Sequence, residues 1–244
     1  MPEQLKRAMI LAAGLGTRMG SLTNDRPKAL VEVLGKALID YAIDRFKALS
    51  VTQIIVNLHY KADMLKAHLE GRTDVRIHFS DERNELMDTG GGVAKALPFF
   101  EDQPFFTHNS DSIWFESGVQ NLLRLARAWQ SDTMDALMLV APVENALGYT
   151  GAGDFHLEPD GKLRCKGNEN KAPFVWTGIQ IIHPRLFVGC PDGPFSTNVV
   201  WNQALEQERL FGLTLDGTWI HVGTPEGVQD AEAFIQKVRT GAFN

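Results

Sequence analysis

The stretch Leu11-Ala12-Ala13-Gly14-Leu15-Gly16-Thr17-Arg18-Met19-Gly20, continued five residues later by Arg26-Pro27-Lys28-Ala29-Leu30, decides how the rest of the chain is read. It grows out of the apolar run 8–13, which predicts a short buried strand with two glycines just past its end. Gly14 and Gly16 lack a Cβ, so the backbone there can approach an anion closely and aim N–H groups at it, while Arg18 and Lys28 add positive charge. Pro27 stiffens the backbone that presents Lys28. The loop therefore has the build of a phosphate cradle. It is not the dinucleotide fingerprint, whose third glycine would fall one residue before Gly20, nor the Walker loop, because no Gly-Lys-Ser/Thr follows.

Working outward, apolar runs recur at 53–57, 75–79, 105–107, 136–141 and 174–182, and between the first of these lie segments with helical spacing. Over 37–49 the residues Leu38, Tyr41, Ala42 and Phe46 fall on one stripe; 64–69 continues a second helix, and 119–129 carries Leu122, Leu125, Ala126 and Trp129 on a third. Strands alternating with helices predict an α/β fold: a Rossmann-like open, mixed but mostly parallel sheet flanked by helices. After residue 141 the texture changes. A glycine-rich loop at 148–154 precedes a hairpin over 155–163 with a Pro159-Asp160-Gly161 turn, and a helix (197–208), a strand (211–215), the short segment 219–221 and a last helix (226–238) close the chain. One domain over 1–244 is expected, with a nucleotide-binding part (1–141) and a smaller β-rich part (142–244).

Composition narrows the function classes. The 244 residues, 44% of them hydrophobic, can bury a sizeable core, and a net charge of −6 without any Lys/Arg run argues against a nucleic-acid or anionic-membrane surface. No apolar stretch reaches 18 residues and no charged segment precedes a long apolar one, so a cytoplasmic protein without membrane span or signal peptide is expected, as a monomer or homodimer. Cys165 and Cys190 stand alone and read as reduced packing residues. The seven histidines form no zinc motif.

The loop motif, together with Asp88-Thr89-Gly90-Gly91-Gly92, Gly148-Tyr149-Thr150-Gly151-Ala152-Gly153-Asp154-Phe155 and Trp176-Thr177-Gly178-Ile179, resembles the sugar-phosphate nucleotidyltransferases, also called NDP-sugar pyrophosphorylases. Within that family these segments most resemble the N-acetylmuramate 1-phosphate uridylyltransferase group. The resemblance implies the nucleotide-diphospho-sugar transferase fold and transfer of a nucleotidyl group from an NTP, UTP by preference, to a sugar 1-phosphate with release of pyrophosphate. It implies that Arg18 and Lys28 act catalytically on the phosphates, that Leu11, Ala12, Ala13, Gly14, Gly16, Thr17 and Arg18 hold the nucleotide, and that Glu82, Thr89, Gly90 and Gly91 lie at the base. Mannose or heptose 1-phosphate with GTP is the alternative pair. A nucleotide-sugar sensor without turnover is the alternative of another class, and a cytidylyl or molybdenum-cofactor enzyme a third.

The chemistry fits the residues. A sugar 1-phosphate oxygen is anionic near neutral pH and can attack the α-phosphorus without a general base, so the protein must mainly supply position and positive charge. Mg²⁺, or Mn²⁺ in its place, is the expected cofactor, and Asp111 in the run Asn109-Ser110-Asp111 is the expected ligand at a strand end. Relatives commonly carry an Asp in Trp-x-Asp-x-Gly-Thr near the C-terminus. Here the segment reads Trp219-Ile220-His221-Val222-Gly223-Thr224, which makes His221 the second metal candidate and leaves a single-carboxylate site as the favoured arrangement. Short polar groups on tight backbone mark Glu144, Asn145, Gly153, Asp154, Thr177, Gly178 and Asn198 as candidates for the sugar, with Lys166 or Lys171 for its phosphate.

Overall fold

The computed structural model describes residues 5–241. The first strand, β1 (Arg7–Leu11), ends before its apolar run does, because Ala12 and Ala13 give their N–H groups to the side chain of Asn57 rather than to a neighbouring strand. The chain then coils through a 3₁₀ segment (Thr17–Thr23) and a second 3₁₀ turn (Lys28–Leu30). A hairpin of β2 (Glu32–Val33) and β3 (Lys36–Ala37) follows, its turn residues Leu34 and Gly35 both at positive φ, 51° and 76°. That is the turn type whose twist matches paired strands.

From there the alternation read in the sequence holds: α1 (Leu38–Ala48), β4 (Gln53–Leu58), α2 (Ala62–Glu70), β5 (Arg76–Asp81), α3 (Asp88–Ala96) and β6 (Phe105–Asn109). Next come β7 (Ser112–Phe115), α4 (Asn121–Ala128), β8 (Ala136–Pro142) and β9 (Ala146–Leu147). The remainder is the hairpin β10 (Phe155–Leu157) and β11 (Leu163–Cys165), then β12 (Phe174–Ile182), α5 (Asn198–Glu206), β13 (Leu210–Thr214), β14 (Thr218–His221) and α6 (Pro225–Thr240).

Nine of these strands form one sheet. Its main path runs β5-β4-β1-β6-β12-β8-β13, with β10 and β11 continuing from the start of β12. Neighbours are parallel except at β12, which lies antiparallel to both β6 and β8. The apolar runs have no polar face because both sides are covered, as expected of strands buried within a largely parallel sheet. In β1, Ala8 and Ile10 face one cluster and Met9 the other; in β8, Leu137, Leu139 and Ala141 oppose Ala136, Met138 and Val140. Ile39, Ile43 and Phe46 of α1, Leu65 and Leu69 of α2 and Leu122 and Leu125 of α4 cover the first side, while Val93 of α3 and Val200 and Ala204 of α5 cover the second.

Of a second, three-stranded sheet, β7-β14-β9, the sequence reading had only the segment 219–221. Its strands are two to four residues long and lie far apart in the chain, so no local period announces them. It builds a third cluster in which Ile113 and Ile220 meet Met19 and Val31 from the loop after β1 and Ala231 and Ile235 from α6. Helix α6 starts with Thr224 capping the Gly227 N–H and Pro225 at its first position, and it stops at Gly241 in the left-handed region, φ 68°. Among the described residues no helix is long and apolar enough to cross a membrane.

Candidate active site

In the main sheet the chain leaves β1 toward β4 on one side and returns to β6 on the other, so the C-terminal ends of β1 and β6 open a crevice at the point where the strand order reverses. The loop after β1 and the turn after β6 line it. Two cavities occupy this crevice. The first, about 200 Å³, is walled by Leu11 through Gly14, Lys28, Asn57, Leu86, Asp88, Thr89 and the turn Asn109-Ser110-Asp111. The second, about 440 Å³, is walled by Arg18, Ser112, residues 148–151, Asp154, Val175, Trp176, Gly178, Trp219, His221 and Thr224, again with Asn109 and Asp111. Asn109 and Asp111 belong to both.

Asp111 is held at that junction from two sides. Its carbonyl accepts the Val222 N–H at 2.8 Å, which ties the small sheet to the main one, and its Oδ2 receives Lys28 Nζ at 2.6 Å. Both side chains are largely shielded, 13% exposed for Lys28 and 15% for Asp111. Burial pushes the Asp111 pKa upward, but the Lys28 ammonium, with His221 and Arg18 beyond it, outweighs burial and holds the carboxyl below the usual carboxylate range. The carboxylate is therefore ionised throughout the neutral range.

The loop presents Lys28 by packing rather than by length. Ala29 is fully buried beneath the 3₁₀ turn, and Gly16, at φ 66°, brings its own backbone so close that an added Cβ would lie 3.0 Å from Lys28 Cβ and from Thr23 Cγ2. Thr23 Oγ1 closes the coil by donating to Gly16 O and Gly20 O. Arg26, by contrast, turns to its neighbour Asp25. Arg18 is exposed on the wall of the second cavity, and among the described residues no carboxylate pairs with it.

His221 faces the same junction. Its ring lies over Gly223, where any Cβ would meet Nε2 at 2.2 Å, and 5.7 Å from the ring of Trp219. Burial lowers its pKa, Asp111 opposes that, and the Lys28 and Arg18 charges add to it, so the imidazole is neutral at neutral pH. Asn109 Oδ1 is buried and has no hydrogen-bond partner among the described residues. Among the described residues no group of three or more His, Cys, Asp or Glu side chains forms a metal cage.

The candidates read from the sequence divide into three sets. Leu11, Ala12, Ala13, Gly14, Lys28, Thr89 and Asp111 meet at the first cavity, and Arg18, Asp154, Gly178 and His221 at the second. Asp154 uses Oδ2 to accept the Trp176 N–H at 3.0 Å, while its carbonyl accepts the Lys166 N–H, which brings Lys166 and its charge to this side. Gly178, at φ 85°, lets the irregular middle of β12 pass within reach of Ser112 and Asn109; a Cβ there would sit 2.8 Å from Ser112 Oγ.

A second set supports the walls without lining them. Thr177 is fully buried, donating to Leu139 O and accepting Ser112 Oγ through its carbonyl, and Gly153, at φ 77°, is forced by Ala172 O, 2.1 Å from where a Cβ would stand. Gly16 and Thr17 shape the loop behind Lys28. Glu82 does not face the cavity: it is fully buried, bonded to Asn57 Nδ2 at 2.8 Å and to the Met87 N–H at 3.2 Å. The N–H groups of Gly90 and Gly91, expected to meet a base, are instead given to Phe195 O at 2.8 and 3.0 Å, and an added Cβ at Gly90 would collide with the Phe195 ring. The glycines are there for a loop of the chain to pack on helix α3.

The third set lies outside both cavity walls. Glu144 and Asn145 are exposed on a 3₁₀ turn after β8, and Asn198 is exposed at the start of α5. Short polar groups in loops serve turns and helix starts as often as ligands, which is why type alone misplaced them. The loop 148–153, which the sequence also offers for the sugar, supplies Gly148, Tyr149, Thr150 and Gly151 to the second cavity. Asn57, Trp176 and Trp219 were not among the candidates, and Asn57 carried a signal, as an amide that ends the apolar run Ile54-Ile55-Val56.

This geometry is two cavities joined at an ionised aspartate paired with a lysine. Residues 7–153 match the Nucleotidyl transferase family model. The chain belongs to that family, and the resemblance to sugar-phosphate nucleotidyltransferases read from its loops extends along nearly its whole length. It is 44% identical to an N-acetylmuramate alpha-1-phosphate uridylyltransferase of Caulobacter vibrioides, over 96% of this chain and 98% of that one. It is 33% identical to the protein of the same description from Neisseria meningitidis serogroup B, over 93% and 97%. The fold matches that of HddC from Yersinia pseudotuberculosis, solved in complex with GMP-PN, with a TM-score of 0.73 at 23% identity over 95% of this chain and all of the other.

Proposed function

We propose that this enzyme transfers a uridylyl group from UTP to N-acetylmuramate α-1-phosphate in the cytoplasm, giving the UDP-sugar and pyrophosphate. The observation that carries the reading is the sharing of Asn109 and Asp111 by the two cavities, with Lys28 bonded to Asp111 where they meet. The identity to the two uridylyltransferases over almost the full length of each supports the choice of base and sugar.

In this reading UTP sits in the first cavity with its phosphates running toward Asp111, and the sugar occupies the second. The anionic sugar phosphate oxygen attacks the α-phosphorus in line, the new P–O bond forms, and the bond to the pyrophosphate oxygen breaks with the electron pair leaving on pyrophosphate. No proton has to move in that step. Lys28 neutralises charge on the α-phosphate or the incoming phosphate, and Arg18, on the wall of the second cavity, meets the β and γ phosphates of the leaving pyrophosphate. Asp154 offers its second oxygen to sugar hydroxyls, and Lys166 lies beside it for the sugar phosphate.

The residues at the junction suit a divalent metal held chiefly by substrate. Asp111 supplies one ionised carboxylate and His221 a neutral imidazole, and Mg²⁺ accepts one or two carboxylates with phosphate oxygens and waters completing its shell. Such an ion supplies further charge neutralisation at the phosphates when bound. The test is a pyrophosphate-release matrix of four NTPs against N-acetylmuramate, mannose, heptose and glucose 1-phosphates, run with Mg²⁺, with Mn²⁺ and with chelator. UTP with N-acetylmuramate 1-phosphate is expected to be the fastest pair and chelator to abolish release; a faster GTP–mannose pair would overturn the assignment.

A further inference from the structure

We propose that Asn57 and Glu82 are positioning residues for the nucleotide, a buried pair that locks the phosphate loop to the opposite wall of the first cavity. The inference rests on the reading of that cavity as the nucleotide site. It concerns what holds the loop in shape.

Three separate segments converge on this pair. Asn57, 3% exposed, lies on β4; its Oδ1 accepts the N–H of Ala12 at 2.6 Å and of Ala13 at 3.2 Å. Its Nδ2 donates to Glu82 Oε1 at 2.8 Å, and Glu82 Oε2 accepts the N–H of Met87, the residue before helix α3. The backbone of Glu82 is itself fixed, its N–H given to Leu58 O at 2.7 Å and its carbonyl 2.8 Å from His59 Nδ1. Gly92 completes the fit, since a Cβ there would lie 2.9 Å from Glu82 Oε1 and 3.2 Å from Asn57 Nδ2.

The residue types follow from donor and acceptor count. Two loop N–H groups need an acceptor, and only a side chain with an acceptor at one end and a donor at the other can take them and still bond a second partner, which is what an amide offers. That second partner must then accept from both Asn57 and Met87, and the Glu82 carboxyl group does so with one oxygen for each. Removing the Asn57 side chain would leave two buried N–H groups and Glu82 Oε1 without their partner, a cost paid at the loop itself.

The functional consequence is selective. Ala12 and Ala13 line the first cavity but spend their N–H groups on Asn57, so the bond lies behind the loop and sets where Gly14 and the following backbone meet the triphosphate. Asp88 and Thr89, on the other wall, are fixed through Met87. Neither segment belongs to the second cavity.

The test is steady-state kinetics on Asn57→Ala with each substrate varied in turn, alongside UTP-induced thermal shift, which needs no turnover. The expected result is a KM for UTP raised about tenfold or more, a KM for the sugar 1-phosphate within about twofold of wild type, and a UTP-induced shift reduced in step. Equal rises for both substrates, or an unchanged KM for UTP in a folded variant, would overturn the proposal. Should Asn57→Ala fail to fold, Gly92→Ala decides: it keeps every bonding group, favours the helix, and presses a methyl group against the pair. A UTP-selective rise in KM of several-fold with an unchanged melting temperature is expected, and a variant equal to wild type in both KM values would sink the idea. Wild-type protein that shows no UTP-induced shift at all would instead remove the nucleotide reading on which the pair's role depends.

Discussion

The two cavities are built in opposite ways. The first is lined mainly by contiguous segments, residues 11–14 and 109–111 with the start of α3, and is braced by buried side chains. The second gathers its lining from distant places: Arg18 from the first loop, Asp154 before β10, Trp176 and Gly178 from β12, Trp219 and His221 from β14. A wall of contiguous loop suits what every NTP shares, its phosphates, whereas a wall gathered from many elements can be changed one residue at a time and suits what differs between sugars. Asp111 is common to both, and the proposed reading therefore gives it to the chemistry rather than to either substrate.

That contrast breaks first at the junction. Lys28→Ala removes the cation bonded to Asp111, and kcat is expected to fall by about 10²–10³ with the nucleotide-induced thermal shift largely kept; rapid-quench turnover checks it, and a loss under tenfold would mean that Lys28 serves the fold alone. The next largest effect is expected on the sugar side. Asp154→Ala should raise KM for the sugar 1-phosphate about tenfold and leave that for UTP unchanged, the mirror image of Asn57→Ala, so equal effects on both substrates would erase the division of labour. Gly178→Ala, strained at φ 85° and pressed on Ser112, should cost roughly 1–3 kcal/mol of stability and weaken the same substrate; chemical denaturation together with KM measures both.

The smallest expected effect on turnover lies under the junction. His108 is fully buried between Phe46 and Trp114, among the described residues neither ring nitrogen has a hydrogen-bond partner, and burial pushes its pKa down from 6.5 to about 4. A histidine whose folded-state pKa is depressed contributes stability that is present above its unfolded value and is lost as pH falls from 6.5 toward 4. The loss amounts to roughly 3 kcal/mol. His108→Phe should flatten that acid limb of the stability curve while leaving turnover near pH 8 within about twofold; an unchanged limb would place the acid sensitivity elsewhere.

The same contrast explains what the sequence revealed. That the loop after β1, Lys28 and Asp111 share one crevice was legible because the motif's residue types and spacing lie within a few positions, and the alternation of apolar runs with helical stripes carried the central sheet. The second cavity depends on β7, β9 and β14, short strands whose partners are set by topology, so Trp219 gave no local sign of lining a cavity. Gly90 and Gly91 misled for a physical reason: absence of a Cβ signals close approach, but not of what, and here the close neighbour is Phe195 of the chain itself. Glu82 likewise sits near the base-side wall, yet burial turns it into a brace rather than a contact.

The central claim is that two substrates meet at Asp111. A crystal structure with a non-transferable UTP analogue and a sugar 1-phosphate bound together tests it most directly. The account predicts the base in the first cavity, the sugar in the second, and the α-phosphorus and sugar phosphate beside Asp111 and Lys28. Both ligands in one cavity, or phosphates lying away from Asp111, would contradict it.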